Sequence, residues 1–247
     1  MHEFVIVLFI ALLPAVGNII GSLIAESVHS PRWVIGASLH AAAGIAIALV
    51  SIDLMPRILL TTPIWLIIVA FLAGALFSVI LYRSGGWARG AAGVDSRSAW
   101  MVLMAGAVDL FSDGLMTGAG TAVGSGLGLL IAASQSIANI PGGFAITANF
   151  RDDGVPRRWR MAASAALLVM VLASATIGYW LARGAGSFAQ NAFLAFIVGV
   201  LLLATVEDVI PQGDEPQPPR WISTAAFALG FAAMGLLSST LGWRALG

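Results

Sequence analysis

The chain alternates between long apolar runs and short polar links. Each run is close to the roughly 20 residues that an α-helix needs to cross a bilayer. Apolar residues within a run are continuous, unlike the alternating pattern of a membrane β-barrel strand. We therefore predict an all-α, polytopic membrane protein with eight transmembrane helices. The predicted spans are 4–26, 33–55, 63–83, 98–120, 124–148, 159–183, 188–211 and 221–243.

Turn-forming residues separate most of these spans. Clusters of Gly, Pro, Ser and charged residues follow the first, third, fifth and seventh spans, as in "RDDGVPRR" after the fifth. Only a Gly-rich stretch, "AVGSGLG", divides the fourth span from the fifth. Because every link is short, we predict a single transmembrane domain over residues 1–247. The apolar N-terminal segment has no basic stretch before it, so we expect the first span there and not a signal peptide.

Arginine is distributed unevenly between the two sides of the predicted membrane. Links after odd-numbered spans carry nine Arg residues, whereas links after even-numbered spans carry only Arg57 and Arg183. Basic links stay in the cytoplasm, so we predict that both termini lie outside the cytoplasm. The membrane that we expect is the bacterial inner (cytoplasmic) membrane. The nine residues are Arg32, Arg83, Arg89, Arg97, Arg151, Arg157, Arg158, Arg160 and Arg220.

Composition excludes several classes of protein. Hydrophobic residues make up 59% of the chain and charged residues 10%, against about 25% charged in soluble domains. The chain has no Cys, which excludes disulfides and thiolate metal ligands. A formal net charge of +0 gives no indication of a nucleic-acid partner. The expected surroundings are a lipid bilayer, and faces of small residues permit a homodimer without requiring one.

Two carboxylates interrupt the fourth apolar run. Asp109 and Asp113 are four residues apart and therefore share one face of a helix. A charge at the centre of a lipid-facing helix costs roughly 2.5–3.5 kcal/mol. Two like charges one turn apart also repel each other. We therefore expect a cation or shared protons to offset them.

The fifth span carries a second polar stripe. Gln135 and Asn139 again stand four residues apart, and Pro141 follows them. Proline within a span removes a backbone hydrogen bond and kinks the helix, which is tolerated at membrane depth where the backbone is buried in protein or lines a cavity. Either amide, taken alone, could equally be a polar contact between helices. The two stripes together predict one polar site near the middle of the membrane.

Four further ionisable residues lie inside predicted spans or near their ends. Asp53 ends the second span, and Glu207 and Asp208 end the seventh. Each of these could be a solvated helix end or part of an ion's way in or out. His40, in the second span, could be a hydrogen-bonded buried side chain or part of the same path.

Four stretches resemble motifs of the ZIP (Zrt/Irt-like) family of divalent-metal transporters. "DLFSDG" (Asp109 to Gly114) resembles the His-Asn-x-Pro-Glu-Gly of the family's fourth helix, and "ANIPGG" (Ala138 to Gly143) resembles its fifth-helix motif. "EDVIPQ" (Glu207 to Gln212) and the "DLMP" of the second span resemble family helix ends. The resemblance implies an eight-helix ZIP-like bundle, with a binuclear metal site built by the fourth and fifth helices.

This chain departs from those motifs at several ligand positions. Asp109 stands where the family has His, and Asp113 stands where it has Glu. Ala138 and Gly142 replace two fifth-helix ligands. The resemblance thus implies one metal site, made of Asp109, Asp113, Asn139 and Gln135. Its oxygen ligands suit hard ions such as manganese, ferrous iron or magnesium, although zinc also accepts carboxylate.

We therefore predict a transporter that moves a divalent metal cation, of the zinc, iron or manganese class, into the cytoplasm through this site. Zinc is the ion that the family resemblance favours. Asp53 would lie on the way in, and His40 or Glu207 and Asp208 on the way out. Two alternatives stay open: a ZIP-like fold with a changed substrate, such as a proton-coupled small-solute carrier, and a non-transporting metal sensor. An intramembrane aspartyl protease needs two acids on different helices, so we expect no enzyme.

Overall fold

A computed structural model describes residues 2–28, 31–92, 99–215 and 217–245. These residues form helices joined by short links, and no strand occurs among them. Two of the longer helices run through a short π-helical stretch, called π1 and π2. The elements are α1 (His2–Ser27), α2 (Arg32–Ala48), π1 (Leu49–Leu54), α3 (Met55–Thr61), α4 (Ile64–Ala92), α5 (Ala99–Val123), α6 (Ser125–Asp152), α7 (Arg157–Ala182), α8 (Ser187–Ala204), π2 (Thr205–Val209), α9 (Ile210–Asp214) and α10 (Arg220–Ala245).

The prediction of an all-helical, multi-pass membrane protein is confirmed. Six helical stretches within the described residues are long and apolar enough to cross a membrane. A further apolar stretch, Ile64–Ile80, is shorter. The six are Glu3–Ser27, Trp33–Thr61, Ser125–Ala148, Arg157–Ala182, Ser187–Asp214 and Arg220–Thr240.

Several helices extend beyond the predicted span ends, among them α6, which continues to Asp152. The helix of the second predicted span continues through π1 and α3 to Thr61, so Arg57 is a helical residue and not part of a link. The helix of the seventh predicted span continues from α8 through π2 and α9 to Asp214, and α4 continues to Ala92. Residues 93–98, in the predicted link after the third span, lie outside the described residues. The boundary at "AVGSGLG" falls at Gly124, between α5 and α6.

Proline and glycine mark many helix boundaries. Proline directly precedes α2, α4, α7 and α10, where its fixed φ suits a helix start and its missing N–H costs nothing. Two links contain glycine in the left-handed region, Gly154 after α6 (φ 72°) and Gly184 after α7 (φ 77°). A residue with a Cβ is strained in that region, so these glycines permit the tight reversals between helices.

Proline also accounts for both π-helical stretches. Pro56 follows π1 by two residues, and Pro211 follows π2 by two. A proline inside a helix donates no hydrogen bond, and its ring clashes with the carbonyl four residues earlier. The wider π turn relieves that clash, and such turns are frequent at functional sites. An acid stands three residues before each proline, Asp53 in π1 and Asp208 in π2.

The helices pack as close pairs: α1 with α6, α5 with α7, α2 with α10, and α4 with α8. Glycine allows this contact, because a Cβ at Gly143 of α6 would collide with the carbonyl of Asn18 on α1. A Cβ at Gly118 of α5 would likewise collide with the carbonyl of Ala175 on α7. Packing of α5 against α6 joins two of these pairs and brings the two polar stripes together.

Polar contacts fix one end of the bundle, which we call the inner end. Here α1, α6 and α9 finish, and α2, α7 and α10 begin. Arg160 of α7 donates two hydrogen bonds to Glu26 of α1, at 2.5 and 2.7 Å. Arg151 of α6 donates to the carbonyl of Ala25 at 2.5 Å. These bonds hold α1, α6 and α7 together where the most basic predicted link lies.

The opposite half, or outer half, is densely apolar. A cluster of buried side chains there joins α5, α6 and α8 to the helix formed by α2, π1 and α3. Its members include Leu54, Ile58, Met116, Ala119, Leu130, Ile131, Leu194 and Ile197. Because these side chains fill the space between helices, the outer half of the bundle is closed.

Candidate functional site

A cavity of about 90 Å³ lies between α2, α5, α6 and the helix formed by α8, π2 and α9. It reaches from Asp113 toward the inner end, where Gln212 of α9 lines it. The apolar cluster of the outer half closes it on the other side. The polar residues that line it are Asp109, Asp113, Ser134, Gln135, Asn139, Thr205, Asp208 and Gln212.

Asp113 lies at the closed end of the cavity and is 3% exposed. Its Oδ2 accepts a 2.6 Å hydrogen bond from the amide of Asn139 on α6. The same amide nitrogen donates to the carbonyl of Pro14 on α1 at 3.3 Å. Asn139 therefore ties α5, α6 and α1 together, and its Oδ1 is the amide atom able to bind a cation.

Three carboxylates follow one another along the cavity. Asp208 of π2 lies near Asp109, and Asp109 lies near Asp113, so negative charges on these carboxylates would repel one another. Gln212, one turn beyond Asp208, donates a hydrogen bond to that residue's Oδ1. No basic side chain lines the cavity within the described part of the chain. The described lining therefore offers these carboxylates no basic side chain as a counter-ion.

Gln135 is buried beside these acids, and its two amide atoms differ in their contacts. Its Oε1 accepts a 2.9 Å hydrogen bond from Thr117 of α5. Its Nε2 is buried without a hydrogen-bond partner. An unpaired buried donor costs about 1–3 kcal/mol. Binding a ligand, or rotating the amide group, would remove that cost.

The structure thus brings together the four residues that the resemblance assigned to a metal site: Asp109, Asp113, Gln135 and Asn139. No three residues among His, Cys, Asp and Glu are close enough to hold a metal ion within the described residues. Any ion bound here would therefore need oxygen ligands beyond these acids, from amides or from water.

The residues predicted for the path fall in different places. Asp208 lines the cavity, but its neighbour Glu207 is exposed and does not. Asp53 lies apart from the cavity, where its Oδ1 accepts a hydrogen bond from Ser238 of α10 and its Oδ2 is buried without a partner. His40 is adjacent to the cavity-lining Leu39 but does not itself line the cavity.

His40 instead joins α2 to α9. Its Nδ1 lies 2.8 Å from the carbonyl oxygen of Gly36, so it donates there. Its Nε2 lies 3.2 Å from Oδ1 of Asp214. Both ring nitrogens are therefore occupied, and neither points into the cavity as a ligand.

Sequence reasoning missed Thr117, Thr205, Ser134 and Gln212. A signal for Thr117 was present, because it continues the four-residue spacing of Asp109 and Asp113 along one face of α5. For Gln212 the signal was the same spacing from Asp208. Repetition of an acid three residues before a proline, at Asp53 and Asp208, also pointed to two related helix segments.

A comparison of the chain with protein-family models and with curated proteins found no match. The resemblance to ZIP transporters therefore stays a prediction from the motifs of this chain.

Proposed function

We propose that this protein transports a divalent metal cation, of the zinc, iron or manganese class, into the cytoplasm through the cavity between α5 and α6. One observation supports this most directly. Three carboxylates line a cavity among apolar helices, and no basic side chain of the described residues accompanies them there. Charges at membrane depth are rare and mark ion pathways. A bound cation would offset their repulsion.

The proposal includes eight crossings in a ZIP-like bundle, with both termini outside the cytoplasm of a bacterial inner membrane. The described residues form eight continuous helical segments when α2, π1 and α3 are taken as one and α8, π2 and α9 as another, and this supports the count. The basic residues gathered at the inner end, among them Arg151, Arg157 and Arg160, support the orientation. With that orientation the cavity opens toward the cytoplasm and is closed outward.

The arrangement corresponds to one state of an alternating-access cycle. In such carriers the site stays near the midplane while groups of helices rock around it. Asp208 and Gln212 would guide the ion from the site to the cytoplasm. Asp53, with its unpaired Oδ2, would receive the ion from outside once α10 and Ser238 separate from π1.

The test is metal uptake into proteoliposomes that contain the purified protein and an ion-sensitive dye. Zinc, ferrous iron, manganese, cadmium and magnesium are supplied in turn. Wild-type protein is expected to carry at least one of them, and Asp113→Ala to carry none. Glu215→Ala is the matched control, since Glu215 is an exposed acid at the inner end and its loss should leave uptake unchanged.

Other outcomes would replace the proposal. Uptake of a solute that depends on pH and not on metal would identify a proton-coupled carrier. Metal binding without flux would identify a sensor. Full metal uptake by Asp113→Ala would show that the ion passes elsewhere.

A further inference from the structure

We propose that the ion of this site is a hard divalent cation that keeps part of its hydration shell, manganese or magnesium, and not a dehydrated zinc ion. This inference rests on the proposed function and specifies its substrate. It follows from the donor atoms, the space and the unpaired amide of the cavity.

The donor atoms that face the cavity are those that hard cations prefer. Its polar lining consists of carboxylates, carboxamides and hydroxyls, and no His, Cys or Met is part of it in the described chain. His40 is the nearest imidazole along α2, but Gly36 and Asp214 occupy its two nitrogens. Zinc sites in proteins are dominated by imidazole and thiolate, whereas magnesium and manganese suit carboxylate, carbonyl and water.

The acids are too far apart to replace a hydration shell. Since no three acidic or imidazole groups of the described residues converge on one point, an ion held by Asp113 can have at most one more carboxylate as a ligand. Magnesium is typically bound in this way, through one or two carboxylates with several waters retained. Asp208, farther along the cavity, would then contact the ion through its water.

The space is sufficient for those waters. One buried water needs about 10–15 Å³, and the cavity measures about 90 Å³. Gly142 contributes to this room, because a Cβ at that position would meet no atom within 4 Å. The glycine stands where a carboxylate side chain would otherwise enter the cavity and displace water from the ion.

Gln135 is suited to bind such a hydrated ion after a single rotation. With its amide turned by 180°, Nε2 would donate to the hydroxyl of Thr117, and Oε1 would become free to accept from an ion-bound water. The Thr117 hydroxyl could then donate to the carbonyl of Asp113, one turn earlier, as Thr often does in helices. The rotation gives the buried Nε2 the partner that it lacks.

The experiment compares uptake of magnesium, manganese and zinc by wild-type proteoliposomes. We expect uptake of manganese and magnesium in preference to zinc. Uptake of zinc in preference to both of them would overturn this inference and leave the proposed function standing. No uptake of any metal would overturn both.

A second variant tests the role of the empty space. Gly142→Glu would place a further carboxylate in the cavity, and Gly142→Gln is its uncharged control. We expect the glutamate to raise uptake of zinc relative to magnesium by about tenfold or more, because a third carboxylate replaces water and favours the ion with the higher ligand affinity. An unchanged ratio in a variant that still transports would contradict the inference.

Discussion

The side-chain amide of Asn139 donates a 2.6 Å hydrogen bond to the carboxylate of Asp113, joining α6 to α5 at the closed end of the cavity. Both side chains are buried, at 6% and 3% exposure. A buried carboxylate with one amide donor and no basic neighbour in the described lining still has coordination capacity to fill. The proposed cation site depends on this hydrogen bond.

Asn139→Ala should weaken metal uptake. The substitution removes the donor to Asp113 and one amide oxygen from the cavity. A hydrogen bond to a charged group contributes about 1.5–3 kcal/mol, which corresponds to roughly a 10- to 100-fold loss of apparent affinity. Asn191→Ala is the matched control, since this buried amide bonds Thr61 away from the cavity. Equal losses in both variants would point to a general effect on folding.

Two adjacent glycines should respond differently to the same added methyl group. Gly143→Ala should lower the free energy of unfolding by about 1–3 kcal/mol, the usual cost of overpacking. Its Cβ would collide with the carbonyl of Asn18, whereas the Cβ of Gly142→Ala would meet nothing within 4 Å. Thermal unfolding in detergent measures both variants. Similar midpoints would show that α1 and α6 are not packed as closely as described.

The ion pair at the inner end should contribute more to stability through Arg160 than through Arg157. The side chain of Arg160 is 11% exposed and forms a close ion pair with Glu26. That of Arg157 is 72% exposed and lies 3.7 Å from the same carboxylate. Arg160→Gln should cost about 1.5–3 kcal/mol. Arg157→Gln should cost less than about 1 kcal/mol, as exposed pairs do. The reverse order in denaturation measurements would contradict this assignment.

The absence of Cys from the chain makes the direction of the cavity directly measurable. Gly142→Cys, in the cavity, should react with a membrane-impermeant maleimide supplied from the cytoplasmic side. Ala119→Cys, in the outer apolar cluster and fully buried, should be protected from both sides. Labelling of Gly142→Cys only from the outside would contradict the proposed orientation.

The sequence predicted the helices well because long apolar runs have few alternative structures in a membrane. It did not predict that two helices continue past a proline. The second and seventh spans were predicted to end at residues 55 and 211, beside Pro56 and at Pro211, but π turns carry both helices onward. Whether a proline ends a helix or is absorbed depends on the packing of neighbouring helices, which local sequence does not contain.

The candidate site was partly predictable for a similar reason. Asp109 with Asp113, and Gln135 with Asn139, repeat at helical spacing, so their shared faces follow from the sequence. The separation of Glu207 from Asp208 does not. Neighbouring residues on a helix point in different directions, and only the tertiary contacts show that Asp208 lines the cavity while Glu207 is exposed.

The central claim is that the cavity at Asp113 binds a divalent cation, and equilibrium binding of manganese to the purified protein tests it most directly. Wild-type protein should bind about one ion per chain, since one divalent cation at this single group of carboxylates would offset their repulsion. Asp113→Asn keeps the shape of the side chain and removes its charge, and it should bind none at the same concentration. Equal binding by both proteins, or no binding by the wild type, would contradict the account.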